Sequence, residues 1–369
     1  MRIIDQELQI PDFDFTTRLS APGTVYIDIE TTGLNRHRSH LYLLGAMWLK
    51  NSHPILRQWF AERPADEETI IRDFFSFCVD FKHLVQFNGS SFDLPYLQHK
   101  AAYYGIETAS LPEKNTDLYQ QYRALKDLLG QSDMKLTNLE ARAGYLRTDH
   151  HTGKELIKVY ENYLQTADET LLSVLLQHNT DDIAGMLWLE VFDSLLALQG
   201  KTITPTSCQT AYDPGTGCLV FTCRYDMLFL PSLTAIFEDN MTLTLNGHTA
   251  LLSVPVYEGT LYHFFRDYQN YYYFPAEDRA LHKSVALYAD SSFRIKATRE
   301  TACEPHTGLF LRTFAPLDIS LCFQPRDCAS GQYYICYAEG FLQNTTLCTT
   351  YATHITSTLL THPTAPLKG

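Results

Sequence analysis

Val25-Tyr-Ile-Asp-Ile-Glu-Thr-Thr-Gly-Leu34 is the stretch whose reading decides the fold. Val25, Tyr26, Ile27 and Ile29 have the β-branched and aromatic character of a strand, and the strand period of two puts Asp28 and Glu30 on one face. Val25, Ile27 and Ile29 then share the other. Two carboxylates that close repel each other, and each is costly to desolvate alone, so a cation is the usual partner of such a pair. For an isolated Asp-x-Glu the alternative is a solvated strand face.

Two later blocks bear on that choice. Leu84-Val-Gln-Phe-Asn-Gly-Ser-Ser-Phe-Asp93 reads as a short apolar strand running through a Gly/Ser turn into a helix, with Asp93 at the junction. His178-Asn-Thr-Asp-Asp182 sits inside a long apolar-periodic segment. Asp28, Glu30, Asp93 and Asp182 together resemble the four acidic residues of the DEDD superfamily of 3′→5′ exonucleases, which share a ribonuclease H-like fold. The first block matches that family's Asp-x-Glu-Thr-Thr-Gly-Leu form and the second its Asn-x-x-x-Phe-Asp form.

A chain of 369 residues, 45% of them apolar and none in a low-complexity run, is long enough for two ordered domains. No stretch reaches the roughly 18 uninterrupted apolar residues of a membrane span. Asp5 and Glu7 stand where a signal peptide needs an apolar core, so a cytoplasmic location without membrane partners is expected. Eight of the nine cysteines follow position 200, and the spacings Cys218-x4-Cys223 and Cys322-x5-Cys328 fit a zinc ribbon poorly; free, mostly buried thiols are expected. The net charge of -13 is unusual for a nucleic-acid binder. It concentrates in residues 1–200, with 18 Lys+Arg against 28 Asp+Glu, where the acidic site is expected.

After the first strand, Leu41 to Leu49 and Ile55 to Phe60 continue an antiparallel meander through a turn at Lys50 to Pro54. Asp66 to Asp80 has helical periodicity, Leu84 to Phe87 is the next strand, and Phe92 to Tyr104 the next helix, ending at Gly105. A meander followed by alternating helix and strand is the order of a ribonuclease H-like α/β domain with a mixed sheet flanked by helices. Asn115 to Tyr119 reads as a strand entering a helix, and Lys135 to Gly144 and Gly153 to Leu164 as short helices. Lys135-Leu-x-x-Leu-Glu followed by Gly153-Lys-Glu-x-x-x-x-Tyr is similar to the YprB-type branch of the superfamily, and the resemblance covers roughly residues 20–198. Asp168 to Leu198 reads as one helix capped at Gly200.

Residues 1–200 are thus expected to form the ribonuclease H-like domain and residues 201–369 an all-β domain, a sandwich or barrel of unknown role. Asn246-Gly247 between Met241 to Leu245 and Ala250 to Val256 signals a hairpin. Tyr271 to Phe274, Ser284 to Ala289, Phe293 to Ala297, Leu309 to Thr313 and Tyr333 to Tyr337 read as further strands. Arg279 to Arg299 holds five basic residues against Asp290. Alternation would place Arg294 and Lys296 outward and Phe293, Ile295 and Ala297 inward, either as a phosphate-backbone groove with Tyr271, Tyr272 and Tyr273 as stacking surfaces or as a solvated face over an aromatic core.

The resemblance implies a two-metal-ion phosphodiester hydrolysis at the 3′ end of DNA or RNA, with two Mg²⁺ ions that Mn²⁺ can replace. In it Asp28 would bridge both ions, Glu30 and Asp182 would complete the site of the ion that activates water, and Asp93 would support the other. His178 departs from the pattern, because the tyrosine branch places Tyr four residues before the last Asp and the histidine branch places His five before. At a separation of four, His178 and Asp182 share a helix face, so His178 is expected to orient or deprotonate the attacking water; a histidine without a role is the alternative. Asp181 is expected to face elsewhere. By the same resemblance, backbone near Thr31 would meet the terminal sugar, Leu34 would pack on a base or within its loop, and Asn88 would contact the strand or cap the Ser90 to Asp93 turn. Asp117 and Arg123 read as a structural pair or as separately exposed. A nucleic-acid-binding or scaffolding protein with a weak nuclease site, and an endonuclease of the same fold, are the competing readings; protein partners are left open.

Overall fold

The computed structural model describes residues 1–8, 18–108, 110–198, 201–317, 321–327, 331–338 and 340–361. The expected cap at Gly200 and Cys328 lie outside the described residues. The chain forms two compact units, Met1–Leu196 and Ala197–Gly369. Among the described residues no helix is long and apolar enough to cross a membrane.

The first unit runs β1 Arg2–Glu7, β2 Thr24–Thr31, β3 Leu41–Lys50, β4 His53–Phe60, α1 Glu67–Cys78, β5 His83–Gln86, α2 Asp93–Tyr103, β6 Lys114–Asp117, α3 Leu118–Tyr122, α4 Leu136–Ala143, α5 Gly153–Thr166, α6 Glu169–Trp188 and α7 Asp193–Leu196. Its six strands are ordered β1-β4-β3-β2-β5-β6. The meander pairs antiparallel, while β5 and β6 add parallel to β2. Val25, Ile27 and Ile29 of β2 enter a core with Ile70, Ile71 and Phe74 of α1, as the alternation predicts. The opposite face of β2 meets α6. That approach depends on Gly45, opposite Asp28 in the β2–β3 register, since a Cβ there would collide with Asn179 and Ile183 of α6.

Two elements differ from expectation. Strand β1 was not signalled, because its charged residues mask the pattern; it is held at the edge of the sheet by cross-strand pairs such as Arg57 on Asp5, at 2.6 Å. The predicted helix over 168–198 stops at Trp188 and tightens into a 3₁₀ turn, Leu189–Phe192. That turn carries buried Glu190 to the hydroxyl of Tyr26 and the backbone N–H of Arg18, partners no helical periodicity could announce.

The second unit contains β7 Ser207–Asp213, β8 Cys218–Ile236, β9 Thr242–Phe264, β10 Tyr271–Phe274, β11 Arg279–His282, α8 Lys283–Ala286, β12 Ile295–Lys296, β13 Cys303–Thr313, β14 Cys322–Phe323, β15 Tyr333–Cys336 and α9 Thr345–Thr361. One sheet is ordered β14-β15-β13-β9-β8-β7 and a smaller one β11-β10-β12. The β architecture is as expected, with three corrections of detail. Asn246-Gly247 lies inside the 23-residue strand β9, where Gly247 at φ 55° pairs with Phe229 between two register shifts. The β8–β9 turn falls instead at Asp239 and Asn240, whose φ values of 58° and 59° meet the primed-turn requirement. Ser284 to Ala289 begins helical rather than extended, and α9 was not anticipated, its many threonines being poor helix formers. Tyr351 secures α9, fully buried and donating to the Arg312 carbonyl at 2.6 Å. The eight described cysteines are free thiols, five of them buried.

Gly45→Ala is expected to lower the unfolding free energy by about 1–3 kcal/mol, through overpacking against α6. Gly153→Ala, where an added Cβ meets open space, should leave it unchanged or raise it. Urea melts of the two variants measure the difference.

Candidate active site

Three local devices deliver the four acids. Asp28 and Glu30 project from the same face of β2, and Asp93 opens α2 directly after the turn at Asn88 to Phe92. His178 and Asp182, one helical turn apart on α6, share a face. Ligand atoms of Glu30, His178 and Asp182 lie within 4.8 Å of one another. His178 Nε2 stands 3.3 Å from Glu30 Oε1 and 3.7 Å from Asp182 Oδ2, so the imidazole faces the acidic pocket.

The polar groups behind these residues are themselves fixed. Gln58 Nε2 donates to Asn179 Oδ1 at 2.9 Å, and Asn179 Nδ2 donates to Asp28 Oδ2 at 2.8 Å. The Tyr42 hydroxyl donates to Glu30 Oε2 at 3.3 Å. Arg147 Nη2 lies 2.5 Å from Asp182 Oδ1 while Nη1 holds buried Glu140 at 2.8 Å. Asp149 Oδ2 is 2.6 Å from His178 Nδ1. Asp181 points away from the pocket as expected, accepting from Thr148 N, Asp149 N, Tyr145 Oη and Gln177 Nε2 at 2.7 to 3.0 Å.

Burial and crowding act on Asp28, Glu30 and Asp93 in the same direction. Desolvation, then the charges of Asp182, Glu30 and Asp93, push Asp28 well above the usual carboxylate range, against the hydrogen bond from Asn179. Desolvation and the charge of Asp182 push Glu30 up to about 8, although the Tyr42 hydroxyl opposes them. Asp93 is pushed up to about 7, chiefly by desolvation, while the N–H groups of Asp93 and Ile29 pull it down. Among the described residues, Arg147 is the one permanent cation paired with any of the four acids, and it is shared with Glu140. A hard divalent cation fits the cluster of Glu30, His178 and Asp182, whose carboxylates have too little positive charge around them when ionised.

Other predicted residues fall as follows. Thr31 is buried and its hydroxyl donates to the Gly33 carbonyl at 2.9 Å. Leu34 is 87% exposed and lines an open cleft with His37, Phe92, Pro95 and Tyr96, so it is not packed within its loop. Asn88, at φ 58°, closes its turn with its backbone carbonyl, which accepts from Ser91 N at 3.2 Å and Ser91 Oγ at 2.7 Å, while its side-chain Oδ1 accepts from Ser91 Oγ at 2.9 Å. Asp117 is buried, caps α3 and also receives Asn88 N and Ser90 N, a structural role, while Arg123 is exposed and among the described residues forms no ion pair with it. The predicted outward face of Arg294 and Lys296 is corrected: the strand shrinks to β12 and Phe293 and Ile295 are 66% and 56% exposed. Lys296 is exposed, but Arg294 is half-buried over the Tyr272 ring, 5.0 Å from its centroid. A 3₁₀ turn at Ser291–Phe293, capped by Asp290, interrupts the alternation.

Arg147, Asp149, Asn179, Gln58 and Glu140 were missed. The available signal was the charged run Arg147-Thr-Asp-His-His151 immediately before Gly153-Lys-Glu, but a loop has no period from which to read direction.

The first unit is an RNase H-like domain, and residues 25–191 match the RNase_H_2 model of the RNase_H superfamily. The uncharacterized protein YprB of Bacillus subtilis (strain 168) is 25% identical over 169 residues, 45% of this chain and 40% of that protein, in keeping with the YprB-type resemblance. The match therefore spans under half of that relative. The family B DNA polymerase of the hyperthermophilic archaeon Pyrobaculum calidifontis aligns at 15% identity and a TM-score of 0.39, over 67% of this chain and 35% of that one. E. coli exonuclease I in complex with a dT13 oligonucleotide aligns at 12% identity and a TM-score of 0.29, over 57% and 55% respectively.

The raised Glu30 value has a thermodynamic consequence. Between its ordinary value of 4.5 and about 8, the unfolded chain has released a proton that the folded chain keeps, so stability falls as pH rises through that window. Chelator-treated protein is expected to melt at a lower temperature at about pH 8 than at about pH 5, and Glu30→Gln, which cannot ionise, should show a shallower fall. Parallel pH profiles for the two proteins would refute the crowding argument.

Proposed function

We propose that the RNase H-like unit is a metal-dependent nuclease acting as a 3′→5′ exonuclease on DNA or RNA. The observation that carries this is the cluster of Glu30, His178 and Asp182, whose ligand atoms lie within 4.8 Å of one another, together with the charges of Asp182, Glu30 and Asp93 acting on Asp28. Two Mg²⁺ ions, or Mn²⁺ in their place, would be held by those four carboxylates. When bound, such cations supply an activated water and neutralise charge developing on the phosphorus oxygens.

The chain's own groups divide the remaining tasks. His178 Nε2 takes a proton from the attacking water, a task suited to an imidazole held beside the reacting centre. Asn179 and Tyr42 fix the carboxylates of Asp28 and Glu30. Arg147 keeps Asp182 in place and limits the repulsion around it. Exposed Leu34, with Phe92 in the same cleft, would offer an apolar surface to the terminal base, and the backbone beside Thr31 would meet the sugar. We place the activity in the cytoplasm.

The test is incubation with 5′-labelled DNA and RNA in Mg²⁺, Mn²⁺ or EDTA. Expected is a ladder of stepwise shorter 5′-labelled products, absent in EDTA and reduced to background in Glu30→Gln. His178→Ala should lose about 10²–10⁴-fold in kcat. Nicking of a circular substrate would make the protein an endonuclease, and no cleavage of any substrate in either metal would overturn the proposal.

A further inference from the structure

The connection from α4 to α5 brings Arg147 to Asp182 and Asp149 to His178, and the one behind His178 has a specific consequence. Asp149 is buried, and its Oδ2 lies 2.6 Å from His178 Nδ1, on the far side of the ring from Glu30 and Asp182. Asp149 and the chain around it are held from three directions. Asp181 receives the Asp149 backbone N–H at 2.7 Å, His151 Nδ1 meets Asp149 Oδ1, and the Thr152–Glu155 capping box anchors the chain immediately beyond.

An ionised carboxylate only accepts hydrogen bonds. Asp149 Oδ2, 2.6 Å from Nδ1, is nearer than Glu30 Oε1 at 3.3 Å and Asp182 Oδ2 at 3.7 Å from Nε2, so a neutral His178 ring carries its proton on Nδ1 and leaves a lone pair on Nε2 at the pocket side. A free histidine side chain favours the opposite tautomer, with the proton on Nε2, where it could not accept one from water.

We infer that Asp149 is a positioning residue, whose buried hydrogen bond fixes the ring of His178 and its Nδ1–H tautomer so that Nε2 presents a lone pair to the carboxylate pocket. The inference deepens the nuclease reading and rests on it for the role of Nε2. The tautomer itself is measurable without any turnover. Asp149 touches no reacting atom; it acts through His178 alone, as outer carboxylates do on functional imidazoles.

The test uses the full chain labelled with ¹⁵N-histidine and treated with chelator, the His178 signals being assigned by their loss in His178→Asn. Wild type is expected to show the Nδ1–H tautomer. Asp149→Ala should shift the ring to Nε2–H, lower kcat by about 10–100-fold and leave KM within about twofold. Asp149→Asn preserves side-chain size and covers the case in which the alanine variant does not fold; its amide is expected to donate to Nδ1 and impose the Nε2–H form. An Nε2–H ring in the wild type, or retention of Nδ1–H and of full kcat in either variant, would overturn the inference. A tautomer that depends on Asp149 in a chain that cleaves no nucleic acid would uphold the positioning and remove the nuclease reading instead.

Discussion

Like charges forced into one half-buried pocket are the constraint to which the first unit answers. Asp28, Glu30 and Asp93 all feel the charge of Asp182, and each of the three has lost hydration. Left to themselves such groups separate or stay protonated. They are kept together by elements stabilised elsewhere: β2 by its apolar face on α1, α2 and α6 by their own packed residues. The destabilising pocket is carried by a core that does not depend on it, an arrangement expected of a functional site.

Polar residues behind the pocket show how tightly this is organised. The Gln58–Asn179–Asp28 chain crosses from β4 through α6 to β2, and it exists only because Gly45 lets the helix lie close on the sheet. Glycine at 185 does the same for α4, since a Cβ there would run into Glu140. Glu140 in turn holds Arg147, the guanidinium that meets Asp182. Two close approaches of helix to neighbour therefore set the positions of two of the four acids.

How much of this the sequence could disclose follows from the range of each interaction. β2, its two carboxylates and the Asn88 to Asp93 junction are legible because strand alternation and turn chemistry are local. Asp182 is legible through its helical spacing from His178. The Tyr145–Thr152 connection is not, because its direction is set by Asp181 from a distant helix. In the second unit Asn246-Gly247 carried a strong hairpin signal, yet Asp239-Asn240 took the turn and the long β8–β9 pairing absorbed the glycine as a bulge. Local preference yielded there to the registry of a ladder that runs well beyond it. The face of Arg294 and Lys296 failed for a related reason, a two-residue strand being too short to enforce alternation.

Helix α6 explains why a histidine four residues before the last acid serves the pocket. Successive residues turn by about 100°, so positions 178 and 182 stand one above the other while 179 and 181 diverge to either side. Asn179 accordingly reaches β2 and Asp28, and Asp181 reaches the Tyr145–Thr152 connection. Four consecutive demands are thereby met by one helical turn: a ring and an acid toward the pocket, an amide toward the sheet, and a second acid toward the loop that supports the ring. A spacing of five would rotate the ring toward the loop side relative to Asp182, where Gln177 here already donates to Asp181. The spacing of four is therefore matched to a pocket in which the ring is supported from behind by Asp149.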